Sequence, residues 1–344
     1  MRICADCFND EEMRLAVWNE TGSSGVCDVC GRKSNVIDVE VLSEFFWGVL
    51  KLFTPCDEGI NVVSLLQRDW NLFADEAAGA KIVDYFLRSS GDDFGYSLDD
   101  KVDYECAVQQ IVGIWEELKT SVKERSRFFT NLDTFDELGL IRANWTLPEG
   151  TELYRARVMP SGADALGKED MGCPPSGKAT AGRANPLGIP YLYLCQEEET
   201  TYYEVRAVYL DRLAIGKFRV SRDLQIMDFT QRLSLYVAST QSSDWGSDIS
   251  NYLLLQSISH DMSKPLRRFD TELEYVPTQL ICEYCKLNKI DGIKFSSSVH
   301  KGGTNIVLFN SNDAEYMGVS YIEIKSVKIT STEDRMLFCT ETWK

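Results

Sequence analysis

The 344-residue sequence has only two histidines, His260 and His300, and neither lies near a serine or cysteine motif that would complete a catalytic triad. It also has no glycine-rich dinucleotide fingerprint and no P-loop, so nothing suggests a nucleotide used as a hydride carrier. No apolar run approaches the ~18 residues that a membrane span needs. The start, Met1-Arg2-Ile3-Cys4, lacks the apolar core of a signal peptide. We therefore expect a cytoplasmic protein without membrane partners.

Basic residues are scarce as well: 36 Lys and Arg stand against 53 Asp and Glu, for a net charge of -17. Phosphate backbones repel a chain this acidic, so we expect no nucleic-acid partner. The excess is uneven, with a net charge of -13 over residues 1–146 and -4 over residues 147–344. The second part of the chain could therefore accept an anionic ligand.

Eleven cysteines are too few for a disulfide scaffold in a chain of this length, and four of them have metal-site spacing. Cys4 and Cys7 form one Cys-x-x-Cys pair, and Cys27 and Cys30 form another, followed by Gly31. Two such knuckles complete a closed tetrahedral site, so we predict one structural zinc ion in a zinc-ribbon segment over residues 1–36. Two unrelated pairs of buried cysteines are the alternative, but so short a segment has little apolar surface with which to order itself without metal.

Apolar residues recur at helical spacing between residues 40 and 130. Pro55 and Gly59 interrupt the pattern, and apolar stretches resume over residues 62–73 and 77–87. The clearest stripe contains Tyr104, Val108, Ile111, Trp115, Leu118 and Val122. These patterns predict an all-α bundle of about four helices in a second domain over residues 37–146.

From Leu147 onward the sequence is typical of an α+β domain, which we place at residues 147–344. Two helices are predicted near 249–259 and 277–288. Strands are predicted at 152–158, 191–195, 214–220, 224–229, 292–296, 305–310 and 321–330.

Four segments of this domain carry polar groups in apolar surroundings. They are Tyr154-Arg155-Ala156-Arg157, the loop around Gly182-Arg183-Ala184-Asn185-Pro186, the run 200–206 with Glu204, and residues 291–298 ahead of 302–309. Each alone could belong to a structural ion-pair network.

In this order and spacing the segments resemble the RES domain, named for an arginine, a glutamate and a serine. The resemblance covers roughly residues 148–330 and is strongest in MGxPP…GRANPxGxPYLYL, TxxxE and GIKFSSS…GGxNIVLF. The preceding region resembles the HEPN-like N-terminal domain that accompanies some RES domains, through its helix pattern and the stretch 115–129. The resemblance implies an ADP-ribosyltransferase-like fold with NAD in a cleft between two small sheets.

The resemblance also implies roles for particular residues. The catalytic set would be Glu204, Arg155 and Ser297, with Ser296 and Ser298 as alternatives for the serine. The arginines would hold pyrophosphate or ribose, the tyrosine of the PYLYL block would face nicotinamide, and an asparagine in the final strand pair would shape the cleft. The NAD-binding set would thus be Tyr154, Arg183, Tyr193 and Asn305.

RES proteins break the nicotinamide–ribose bond and deplete NAD, commonly as the toxin of a toxin–antitoxin pair. The resemblance therefore implies an NAD glycohydrolase or phosphorylase in a toxin–antitoxin or anti-phage setting, with NAD as substrate and an antitoxin or regulatory protein as partner. A mono-ADP-ribosyltransferase acting on a macromolecule and a catalytically inactive RES binding module remain alternatives. Tyr202 stands where many protein-modifying transferases have a second carboxylate, which favours a small acceptor such as water or phosphate.

The sequence departs from the family pattern in two places. Ala184 replaces a frequent aromatic residue, and residues 234–270 form a long polar insertion. The helical domain has no histidine, so the resemblance to HEPN proteins does not extend to ribonuclease activity. We expect this domain to cover or align the cleft, or to mediate homodimerisation.

Overall fold

The computed structural model describes residues 1–89, 91, 93–264 and 272–328 of the chain. Its strands are β1 (Arg2–Ile3), β2 (Ser23–Val26), β3 (Lys33–Asp38), β4 (Phe53–Asn61), β5 (Lys101–Tyr104), β6 (Trp145–Leu147), β7 (Glu152–Val158), β8 (Leu192–Cys195), β9 (Arg212–Val220), β10 (Leu224–Asp228), β11 (Gly292–Ser296), β12 (Thr304–Leu308) and β13 (Ala314–Glu323). Its α-helices are α1 (Glu11–Asn19), α2 (Ser43–Leu50), α3 (Val62–Trp70), α4 (Glu76–Ser89), α5 (Cys106–Thr120), α6 (Asp133–Leu138), α7 (Lys168–Met171), α8 (Glu198–Glu204), α9 (Leu235–Gln241), α10 (Trp245–Ser263) and α11 (Val276–Leu287). The predicted α+β architecture is thus confirmed. None of these helices is both long enough and apolar enough to cross a membrane.

The described residues form two compact units. The first unit comprises Met1–Asn144, Gly182–Ala184 and Met227–Lys289. The second comprises Trp145–Ala181, Asn185–Ile226 and the described residues from Ile290 onward. The described residues of 227–289, which include those of the polar insertion, therefore pack with the N-terminal part of the chain.

The first unit contains β-structure as well as helices. A three-stranded sheet has the order β1-β3-β2, and β4 pairs antiparallel with β5. The prediction of an all-α bundle is therefore wrong at β4 and β5. Helix α2 ends at Leu50, before Pro55 and Gly59, which lie in the irregular strand β4, where the pairing with β5 shifts between Pro55 and Ile60.

Helices α5 and α10 pack against each other in the first unit through a shared polar contact. Helix α5 buries Val108, Trp115 and Leu118, which belong to the predicted apolar stripe. On α10, Asp261 Oδ2 accepts hydrogen bonds from Trp115 Nε1 at 2.7 Å and from Lys119 Nζ at 2.8 Å. The carboxylate thus satisfies an indole N–H that the apolar packing has removed from water.

The second unit is built on a mostly antiparallel eight-stranded sheet in the order β13-β9-β7-β8-β12-β11-β10-β6. Strand β7 pairs with β9 over seven residue pairs but with β8 at only one, Tyr154 with Cys195. The predicted pair of small sheets is therefore found as two parts of one sheet, which meet at a single residue pair. A junction with so little backbone pairing leaves room for side chains from both parts to converge beside it.

The predicted strands of this unit agree closely with the structure, except the last. Strands β7 and β11 have the predicted bounds. Strand β13 begins seven residues before the predicted Tyr321, and predicted residues 329–330 lie outside the described residues. A register shift between Tyr316 and Gly318 interrupts its pairing with β9, which explains why the sequence shows no regular alternation there.

We predict that Asp261→Asn weakens the α5–α10 contact by about 2 kcal/mol at neutral pH, because two hydrogen bonds lose their charged acceptor. Burial disfavours the charged carboxylate, but the bonds from Lys119 and Trp115 outweigh this effect and lower its pKa. The full difference in unfolding free energy between wild type and Asp261→Asn should therefore be present above about pH 5. It should vanish as the pH falls through the lowered pKa of Asp261. Urea unfolding from about pH 8 down to about pH 2 measures this difference. The matched change Glu283→Gln, at an exposed carboxylate of α11, should be neutral; an equal loss in both variants would contradict the prediction.

Candidate active site

The four predicted metal-ligating cysteines lie together in the first unit, with all four sulfur atoms within 4.8 Å of one another. The Cys4–Cys7, Cys4–Cys30 and Cys7–Cys27 sulfur distances are 3.9, 3.6 and 3.5 Å. Thiolates around a tetrahedral zinc ion with bonds of about 2.3 Å would lie about 3.8 Å apart, so the cluster could hold such an ion.

The second knuckle also has the electrostatics of a metal-binding turn. Gly31 has a positive φ of 73°, and its N–H donates to the Cys27 carbonyl, which closes the turn. Burial disfavours the Cys27 thiolate, yet hydrogen bonds from the backbone N–H groups of Cys30 and Val29 lower its pKa to about 7. Burial raises the pKa of Cys4 to about 12. A lowered pKa at Cys27 beside raised pKa values at the buried thiols of Cys4 and Cys7 is an arrangement that a cation would stabilise.

In the second unit, Glu204 is held by two other predicted site residues. Its Oε1 accepts a hydrogen bond from Ser297 Oγ at 2.7 Å and another from Asn305 Nδ2 at 2.6 Å. Glu204 ends helix α8, Ser297 follows strand β11, and Asn305 lies in strand β12. A helix, a loop and a strand therefore fix one carboxylate oxygen, and the residue itself remains exposed.

Among the three consecutive serines, Ser297 is the one that bonds to Glu204. Its hydroxyl also accepts hydrogen bonds from the N–H groups of Val299 and His300, which fixes the direction in which it donates. Ser296 and Ser298 are exposed. The geometry thus distinguishes the three residues where the sequence left alternatives.

A cluster that the sequence analysis missed docks helix α8 on the loop between β11 and β12. His300 stacks on Tyr203, with ring centres 4.4 Å apart and planes 3° apart, and its Nδ1 is hydrogen-bonded to Thr200 Oγ1 at 2.9 Å. At Gly303 a Cβ would lie 2.5 Å from Thr200 Oγ1, so this close approach requires glycine. The cluster sets where α8 ends and hence where Glu204 lies.

Arg155 lies on β7, one residue from the junction of the two sheet parts. Its Nη1 donates to the Gly172 carbonyl at 3.1 Å. Burial, with repulsion from Arg157, lowers its pKa to about 10, although the neighbouring Cys173 thiol opposes this shift. Half-buried Arg155 has no carboxylate partner among the described residues, so its guanidinium is suited to an anionic ligand.

The remaining predicted residues of the second unit line the same junction or a loop beside it. Tyr154 pairs with Cys195, whose thiol donates to Asn305 Oδ1 at 3.2 Å. The Tyr193 hydroxyl donates to Asn185 Oδ1 at 2.7 Å. Buried Asn185 in turn donates to the carbonyls of Thr180, Pro186 and Ile189, so it holds the loop that carries the GRANP motif.

Arg183, the second predicted arginine, belongs to the first unit. Its Nη1 donates to the Met262 carbonyl at 2.7 Å, and its own carbonyl accepts from Thr278 Oγ1 at 2.7 Å. These contacts involve α10 and the start of α11, so they differ from the contacts of Glu204, Ser297 and Asn305.

We predict that His300 and Tyr203 are energetically coupled by about 0.5–1.5 kcal/mol, the usual range for stacked aromatic pairs. The measurement is a double-mutant cycle in urea unfolding with His300→Ala and Tyr203→Ala, alone and combined. Tyr209→Ala, at an exposed tyrosine outside the cluster, is the matched control and should combine additively with His300→Ala. Additivity of His300→Ala and Tyr203→Ala as well would contradict the predicted coupling between the two rings.

Comparison with known proteins adds the family. The model of the RES domain matches residues 152–327, just over half of the chain. Comparison with curated proteins gives no match. Comparison with solved structures gives, among its matches, the "Crystal structure of the M.tuberculosis MbcT-MbcA toxin-antitoxin complex", at 14% identity and a TM-score of 0.31, over 55% of this chain and 91% of that chain. The family match confirms the resemblance found in the sequence: the chain belongs to the RES domain family.

Proposed function

We propose that the protein cleaves the bond between nicotinamide and ribose in NAD. The observation that carries this proposal is the Glu204 carboxylate, exposed and held through one oxygen by Ser297 and Asn305 within a RES domain. Among the described residues no hydrogen bond is made by its other oxygen, Oε2. That oxygen can therefore accept a hydrogen bond from a hydroxyl of the substrate ribose.

The bond between ribose C1′ and the pyridinium nitrogen breaks with its electron pair going to nitrogen, so nicotinamide leaves as a neutral molecule. The ribose then carries positive charge, as in the oxocarbenium-like transition states of glycosidases. A fixed carboxylate next to that charge lowers the barrier because it needs no reorientation during the reaction. The acceptor adds to C1′ through a lone pair and loses a proton.

The proposed binding roles of the other residues follow from their charge and position. Arg155 would hold a phosphate group of NAD through bidentate hydrogen bonds, a geometry that lysine cannot reproduce. Tyr154 would line the site at the junction, and Tyr193 would present its ring to nicotinamide. Arg183 lies in the first unit, and its role as a ligand for phosphate or ribose stays a prediction from the resemblance.

We propose a small acceptor, either water or phosphate. Tyr202, two residues before Glu204, donates its hydroxyl to Glu198 at 2.7 Å, so its side chain is engaged within α8. Many transferases that modify proteins have a second carboxylate at this position. Here the position holds a tyrosine whose hydroxyl is bound to Glu198. This contact favours hydrolysis or phosphorolysis over transfer to a macromolecule.

NAD depletion is harmful to the cell that makes the enzyme, so the activity calls for control. We propose a toxin–antitoxin or anti-phage setting, in line with the common role of RES proteins. The HEPN-like helical part would provide the regulatory surface, for an antitoxin or for a second copy of the chain.

We predict that Glu204→Gln lowers nicotinamide release from NAD by about 10²–10³-fold, since a neutral amide cannot stabilise the ribose cation. Ser297→Ala should cost about tenfold, because Glu204 loses one charge-assisted hydrogen bond. Chromatography of nicotinamide measures both effects. Ser298→Ala is the matched control and should retain wild-type activity. Equal activity of wild type and Glu204→Gln would overturn the proposed function.

We also propose one structural zinc ion at Cys4, Cys7, Cys27 and Cys30. The purified protein should contain one zinc per chain, and Cys30→Ser should lose it together with several degrees of thermal stability. Cys106→Ser, at another exposed cysteine of the first unit, is the control and should keep both. Elemental analysis measures the zinc content, and thermal unfolding measures the stability of each variant. Full zinc content in Cys30→Ser, or no zinc in the wild type, would contradict the proposal.

A further inference from the structure

Two neighbouring aromatic rings protrude from the first unit. Phe128 and Phe129 are 86% and 92% exposed. Arg125 and Arg127 directly precede them, are exposed as well, and form no ion pair with a described residue. Adjacent large apolar side chains that are open to water mark a surface that another molecule covers. Residues 125–129, named here the arginine–phenylalanine segment, thus combine apolar area with unpaired positive charge.

A cavity in the same unit has the complementary chemistry. Its volume is about 400 Å³. Its apolar walls and its two acidic groups come from Val41, Phe45, Tyr236, Trp245, Glu20 and Glu44. Neither carboxylate is paired with a described residue, and no described lysine, arginine or histidine lines the cavity. This acidic cavity is therefore suited to a cationic segment that also brings an aromatic ring.

Helix α10 keeps the two surfaces apart within one chain. Trp245, the first residue of α10, lines the acidic cavity. Near the other end of the helix, Asp261 contacts Lys119, which lies at the end of α5. The arginine–phenylalanine segment follows α5 after a single π-helical turn, Ser121–Arg125. Since α10 has 19 residues and is therefore ~28 Å long, the segment and the cavity lie at opposite ends of the α5–α10 pair.

We propose that two copies of the chain associate through these surfaces, with the arginine–phenylalanine segment of each copy in the acidic cavity of the other. A two-fold axis across the middle of α10 brings both pairs of surfaces together at once, because they lie at opposite ends of this helix. The four phenylalanine rings would bury roughly 600 Å², with a similar area on the surfaces that receive them, which reaches the ~1,200 Å² of a stable interface. This dimer gives defined surfaces to the second copy mentioned in the proposed function, but it does not depend on the proposed reaction.

Light scattering of the full chain over a concentration series measures this association. The wild type should be a dimer, and the double change Phe128→Ser with Phe129→Ser should raise its dissociation constant at least ~30-fold, because buried aromatic anchors dominate interface energies. Tyr209→Ser, at an exposed tyrosine of the second unit, is the matched control and should leave the dimer intact. A monomeric wild type would overturn the proposal, as would a dimer that both phenylalanine changes leave unaltered.

Charge reversal tests which surfaces meet. One variant, the acidic variant, carries Arg125→Glu and Arg127→Glu; the other, the basic variant, carries Glu20→Arg and Glu44→Arg. Each alone should be monomeric, because every contact would then join like charges. An equal mixture should dimerise, because both of its contacts join opposite charges, and a chain with all four changes should dimerise by itself. Such a rescue also shows that the variants fold.

A matched mixture completes the charge-reversal test. Glu58→Arg, at an exposed glutamate of β4 that does not line the acidic cavity, should leave the acidic variant monomeric. If neither the mixture of acidic and basic variants nor the chain with all four changes dimerises, the proposal is overturned. Neither experiment uses NAD, so the two proposals fail separately. A monomeric wild type that cleaves NAD removes the dimer alone, and a dimer that responds as described without cleaving NAD removes the proposed function alone.

Discussion

The docking of helix α8 on the loop between β11 and β12 is the interaction on which the candidate site depends. Seven residues are too few for a helix to be stable in isolation, so α8 owes its position to its contacts. The stacked rings of Tyr203 and His300 and the hydrogen bond between Thr200 and His300 supply these contacts, and Gly303 allows the close approach. Because Glu204 is the last residue of α8, the same contacts determine where its carboxylate lies.

Electrostatics divides the second unit into two functional regions. In one region, the exposed Glu204 carboxylate is held through Oε1 by two neutral donors, and its Oε2 makes no hydrogen bond with the described residues. At the other, Arg155 and Arg157 concentrate positive charge on one face of β7, with no carboxylate partner among the described residues. NAD has the complementary arrangement, since its diphosphate is anionic and its nicotinamide ribose becomes cationic as the bond breaks. The proposed function requires one NAD molecule to contact both regions.

Much of the second unit could be predicted from sequence because its signals are local. Strands β7 and β11 are short β-rich runs between turn residues, and their predicted bounds agree with the structure. The contacts of the site have no such signal: Glu204 is 93 residues from Ser297 and 101 from Asn305, so only the resemblance to a family could group them. His300 was missed for the same reason, because its partner Thr200 is 100 residues away. The packing of the described residues of 227–289 within the first unit is likewise non-local, and no periodicity in the sequence predicts it.

The most direct test of the account is a crystal structure of the Glu204→Gln variant with NAD bound, since this variant should hold the substrate without consuming it. We predict that the nicotinamide ribose lies against the side chain at position 204, within hydrogen-bond distance of it, and that the diphosphate contacts the guanidinium of Arg155. NAD bound away from both α8 and β7, or a ribose directed away from position 204, would contradict the central claim. That claim is that the Glu204 carboxylate stabilises the positive charge on the ribose as nicotinamide leaves.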